Sequence, residues 1–61
     1  MLYVLLTADN IVYKIANTRK AVAKYCKNTL LFDNTRIKEI LLYRPVRTET
    51  GITLILREVK I

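Results

Sequence analysis

Eleven Lys and Arg against five Asp and Glu give this 61-residue chain a net charge of +6, and its length makes one small domain near the lower limit for folding without a metal or disulfides. Hydrophobic residues make up 52% of it, with a single Gly and a single Pro, which argues against disorder, and no apolar run approaches the ~18 residues that span a bilayer. There is no His and only one Cys, so His-based acid–base catalysis, Ser-His triads, His-bearing zinc sites and an intrachain disulfide are excluded.

Met1 to Leu6 is apolar but has no basic flank, and it ends at Thr7-Ala8-Asp9-Asn10. It therefore reads as a strand over 1–7 rather than a signal peptide. Leu2, Val4 and Leu6 fall on one side, Tyr3, Leu5 and Thr7 on the other. Ala8-Asp9-Asn10 predicts a tight turn, because Asp and Asn tolerate the backbone angles a hairpin requires. Residues 11–16 alternate as the return strand.

The clearest helix follows, from Asn17 or Thr18 to Asn28. Val22, Tyr25 and Cys26, with Thr18 and Thr29 at the ends, keep the spacing of a core-facing stripe. Lys20, Lys24 and Lys27 repeat at i, i+4, i+7 and form a basic ridge. Either Asn17 or Thr18 can cap the start, Lys27 suits the negative end of the helix dipole, and Asn28 can take a left-handed C-cap. Cys26 reads as a small buried apolar group.

Residues 35–43 admit two readings. Phe32 ahead of Asp33, with Ile37 beyond, has the form of a hydrophobic staple, and Ile37, Ile40 and Leu41 fit a second short helix. Against this, Ile37 to Val46 is rich in β-formers and carries Pro45 near its end, which favours a strand from about Ile37 to Arg47. Thr48-Glu49-Thr50-Gly51 is a turn and Ile52 to Lys60 the last strand. The expected fold is α+β, in the order β-β-α-β-β, with one amphipathic helix packed on a four-stranded, mainly antiparallel sheet.

That sheet is apolar on both sides, whereas an antiparallel sheet covered on one face normally alternates apolar and polar residues. One helix of about eleven residues is roughly 16 Å long and covers one face only. Hiding a few hundred Å² of the other, at ~25 cal/mol per Å², is worth several kcal/mol, comparable with the stability of a small domain. Leu2, Val4, Leu6, Leu54 and Leu56 are therefore expected to form a partner-binding face, covered by a second copy in a homodimer or by another protein. The alternative is that Phe32 and its loop fold over it.

From Lys14 to Arg47 inclusive there are nine basic residues and two acidic ones, Asp33 and Glu39, a balance that favours anionic partners. Arg19, Lys20, Lys24, Lys27, Arg36, Arg44 and Arg47 are the candidate anion- or nucleic-acid-binding residues, with Lys38 beside them and the four tyrosines as candidate stacking groups. No carboxylate pair, Gly-rich loop or metal-ligand cluster stands out. The chain thus reads as a non-enzymatic protein-interaction module, without cofactor, metal, membrane or small-molecule substrate. Its use of Ile, Lys, Asn and Tyr has the style of small phage or mobile-element products that modulate or inhibit a host protein. The lone Cys and absent export signal suit a reducing cytoplasm, the host's if the chain is viral. The second reading is a basic nucleic-acid-binding protein that uses the Lys20, Lys24 and Lys27 face.

Overall fold

A computed structural model describes residues 1–61. The elements run β1 (Leu2–Thr7), β2 (Val12–Ala16), α1 (Arg19–Asn28), α2 (Asn34–Leu41), β3 (Val46–Arg47) and β4 (Thr53–Val59). Four antiparallel strands in the order β2-β1-β4-β3 make one sheet. The α+β class matches the expectation, and the order β-β-α-α-β-β corrects the expected single helix.

The β1–β2 hairpin forms where the Asp-Asn turn was expected. Asn10 takes φ 65°, and the Thr7 N–H donates to the Ile11 carbonyl at 3.0 Å. A β-bulge interrupts the register between Leu5 and Leu6. It leaves an extra residue, Tyr13, in β2. α1 starts at Thr18, whose hydroxyl accepts from the Ala21 N–H at 3.1 Å. Its buried stripe is Val22 and Cys26, with Tyr25 half-buried and Thr18 and Thr29 exposed. Asn28 stays helical, and the left-handed residue is Leu31 at φ 57°. The Phe32 N–H then closes on the Cys26 carbonyl at 2.9 Å, which turns the Phe32 ring into the core.

The expected strand from Ile37 to Arg47 is replaced by α2, and only Val46–Arg47 pairs as β3. Local chemistry explains why the β-forming composition loses. Asp33 caps the helix, its Oδ1 accepting from the Arg36 N–H at 2.9 Å. Phe32 and Ile37 flank this cap and both lean on the core, the arrangement of a staple. At the other end Tyr43 adopts φ 63°. Its N–H donates to the Ile40 carbonyl, and the Arg44 N–H to the Glu39 carbonyl, each at 3.0 Å. These are the two bonds of a Schellman stop, and Pro45 follows it as a residue that cannot continue a helix. Pro45 therefore ends a helix here rather than a strand. Ile40, fully buried, anchors α2.

Both helices lie on the same side of the sheet. Leu5, Val22, Cys26, Phe32, Ile40, Val46, Leu54 and Leu56 meet in one core there, closed by Ala16. Phe32 and its loop thus complete the helix layer, and they do not fold over the opposite face.

Candidate interaction surfaces

The face a strand residue occupies follows from its parity and its register. In the β1–β4 ladder Leu5 pairs with Leu56 and Thr7 with Leu54, so odd positions of β1 and even positions of β4 face the helices. The other face carries Leu2, Val4 and Leu6 from β1, opposite Val59, Arg57 and Ile55 from β4. β2 adds Val12 and Ile15, the partners of Leu6 and Val4, and the β3–β4 pair adds Arg47 and Thr53.

This corrects the partner-binding set expected from the sequence. Leu2, Val4 and Leu6 do share an uncovered face. Leu54 and Leu56, 0% and 2% exposed, lie on the opposite one, inside the core. Ile55 and Val59 take their places, with Val12 and Ile15. Of these Val12, Ile15 and Val59 are 49%, 54% and 42% exposed. Leu6 is only 4% exposed yet stands outside the helix-side core, enclosed between its cross-strand partners Val12 and Ile55.

The charge on this open face has one sign. Arg57 stands opposite Val4 in the middle of the sheet, and Arg47 lies towards the β3 edge. Glu58 has the parity of the helix side, and the remaining carboxylates sit in turns or on the helix layer. The face is therefore aliphatic over β2, β1 and much of β4, with Arg57 on β4 and Arg47 on β3 as its charges, and it holds no Asp or Glu.

The basic residues expected to form one anion-binding group are divided by the fold. Lys20, Lys24 and Lys27 are exposed along α1, as their spacing predicts. A groove of about 440 Å³ between α1 and α2 is lined by these three lysines with Asn28 and Asn34. A second groove of about 350 Å³ on the β2 side of α1 is lined by Lys14, Lys24, Tyr25, Asn28 and Thr29. The Lys14 ammonium lies 5.7 Å from the centre of the Tyr25 ring.

Arg19 does other work. Its guanidinium donates to the Leu41 carbonyl at 2.7 Å and to the Tyr43 hydroxyl at 3.0 Å, and Tyr43 in turn donates to the Glu58 carboxylate. This clasp ties the start of α1 to the end of α2 and to β4. The Glu58 carboxylate that accepts the phenol proton, followed by burial, raises the Tyr43 pKa above its ordinary value, against the lowering pull of Arg19. Arg36 sits over the Phe32 ring, 5.8 Å from its centre. Arg44 is exposed beyond the α2 stop, and Arg47 belongs to the sheet side. All four tyrosines pack against the helix-side core, which leaves none of them as a free stacking platform.

Cys26 is fully buried, as its place on the stripe predicts, and burial pushes its thiol up from 9.0 to about 11. A group raised on folding adds stability below its unfolded pKa that is lost as pH climbs through the folded one. Unfolding midpoints in urea should therefore fall between about pH 9 and 11. Cys26→Ala should flatten that part of the profile, and equal slopes in both proteins would show that the thiol does not carry it. At neutral pH the native thiol should resist aromatic disulfide reagents that label it in urea.

No group of three or more His, Cys, Asp or Glu side chains is placed to hold a metal, and no helix is long and apolar enough to cross a membrane. The chain matches no family model, no curated protein and no solved structure.

Proposed function

We propose that this chain is a non-enzymatic interaction module whose open sheet face docks on an apolar surface of another protein that is bordered by carboxylates. The observation that carries the reading is the composition of that face. It has aliphatic residues from three strands, Arg57 among them, Arg47 at one side and no carboxylate. A surface of this kind loses several kcal/mol of hydrophobic stabilisation when left in water.

The same composition favours a different partner over a second copy. Stacking two identical faces brings guanidinium groups into a shared apolar interface that offers no Asp or Glu. A charge buried there without its counter-ion costs several kcal/mol. Each chain also carries +6, so two copies repel during approach, whereas an acidic partner is steered in. Occupying such a surface blocks whatever else binds it, and this is how a chain of this size would modulate or inhibit its target.

A benzophenone side chain at position 15 tests the reading, because Ile15 is exposed on the face and remote from the core. Irradiation in a lysate should join the chain to one acidic polypeptide. With the purified pair, affinity should fall with added salt, and Arg57→Glu should weaken it by about tenfold or more. Cross-linking chiefly to a second copy would replace docking with self-association. A product unaffected by Arg57→Glu and by salt would remove the acidic border from the reading.

A further inference from the structure

The helix layer presents a second surface, independent of the sheet face. Lys20, Lys24 and Lys27 stand in a row on α1, and Lys14 approaches the same helix from β2. The two grooves that flank α1 share Lys24 and Asn28, so they form one continuous band across the helix. No acidic residue lines either groove, while Asn28, Asn34 and Thr29 supply neutral hydrogen-bonding groups between the ammonium groups. We propose that this band binds the phosphodiester backbone of a nucleic acid.

Geometry and chemistry select that ligand class. From Lys20 to Lys27 the helix rises about 10 Å, and Lys14 extends the band sideways. A single small anion meets one or two of these cations, whereas a chain of regularly spaced phosphates meets them all. Ammonium groups bind phosphates as point charges, while side-chain amides and a hydroxyl donate to the same oxygens. An anionic membrane is a poorer match. An interfacial helix needs its own apolar face free to enter the lipid, and the apolar stripe of α1, Val22 and Cys26, is fully buried against the sheet. Exposed tyrosines for base stacking are absent, so contact is with the backbone, and affinity is governed by salt rather than by sequence.

Fluorescence anisotropy with a labelled 20-nucleotide DNA, single-stranded and duplex, from 50 to 200 mM NaCl tests this directly. Wild type should bind with a steep dependence on salt. Lys20→Gln, Lys24→Gln and Lys27→Gln together should weaken binding by more than about tenfold and make the log K against log[salt] slope shallower by roughly two to three. These lysines are exposed, so the triple variant should keep its melting profile. A control with Lys38→Gln, Arg44→Gln and Lys60→Gln loses the same net charge at exposed residues that line neither groove, and should keep most of the affinity. Equal losses in both triple variants would mean that overall charge, not this band, attracts the DNA. No binding at 50 mM salt, or binding only to phosphatidylserine vesicles, would overturn the proposal. Neither variant set touches Val4 or Ile15, so failure here leaves the sheet-face reading to stand or fall on its own test.

Discussion

Leu54→Ala should lower the stability of the chain by about 2–5 kcal/mol, a large share of its total. Leu54 is completely buried, paired with Thr7 of β1 on one side and Val46 of β3 on the other. Cutting a buried Leu to Ala typically costs about 2–5 kcal/mol, from the lost transfer of its methyl groups and the cavity left behind. A chain of this length has a total stability of roughly 3–9 kcal/mol on the usual per-residue scale. The two ranges overlap, so a single truncation can remove most of the margin. Leu42→Ala, at a side chain about half exposed, should change stability by no more than about 0.5 kcal/mol. Urea unfolding followed by far-UV circular dichroism separates the cases. A Leu54→Ala protein as stable as wild type would show that the helix-side core is not where the structure puts it.

Leu54 also marks a limit on what local sequence specifies. Alternation within β4 was legible, and Leu54 and Leu56 belong together. Which side of β1 they share was not, because it depends on register between strands far apart in sequence. Each residue of β1 pairs with a β4 residue of opposite parity, as Val4 does with Arg57, so the even leucines of the two strands lie on opposite faces. A one-residue shift would have grouped them as expected. No local pattern distinguishes the two registers.

α2 was lost for a different reason. Its signals were present: a Phe-Asp-x-x-x-Ile staple and cap, Ile37, Ile40 and Leu41 at helical spacing, and a proline just past the end. Composition outweighed them, because Ile, Leu and Tyr favour strands where a pleated surface needs filling. The cap and stop at its two ends turn the balance locally, and tertiary contacts complete it. Ile40 is fully buried in the same core as Val22 and Leu54, and Tyr43 is held in its left-handed turn by the Arg19–Tyr43–Glu58 clasp, whose members come from α1, the turn after α2 and β4. The same clasp explains why Arg19, which looks like part of the basic ridge in sequence, is engaged within the fold. α1, the hairpin turn and the two-sided sheet were legible because each depends on neighbours in the chain.

Val4→Glu should abolish docking and leave the fold intact. Val4 points away from the helices, so a longer polar side chain enters no part of their core. It also lies directly across from Arg57, where opposite charges on paired strands are mildly stabilising. The melting temperature should therefore stay close to that of wild type. Binding is hit twice. A carboxylate would have to be desolvated at the centre of an apolar interface, and Arg57 would be neutralised within the chain instead of reaching the partner's acidic groups. A penalty of about 3 kcal/mol or more corresponds to a loss of over a hundredfold in affinity. The contrast is one residue away. Leu5→Glu puts the same group into the fully buried core and should unfold the protein. Melting curves for both variants, with photo-cross-linking from position 15 in the Val4→Glu background, give the result. A folded Val4→Glu protein that still cross-links its partner as wild type does would end the case for this face, because no apolar interface across β1 tolerates a carboxylate at its centre.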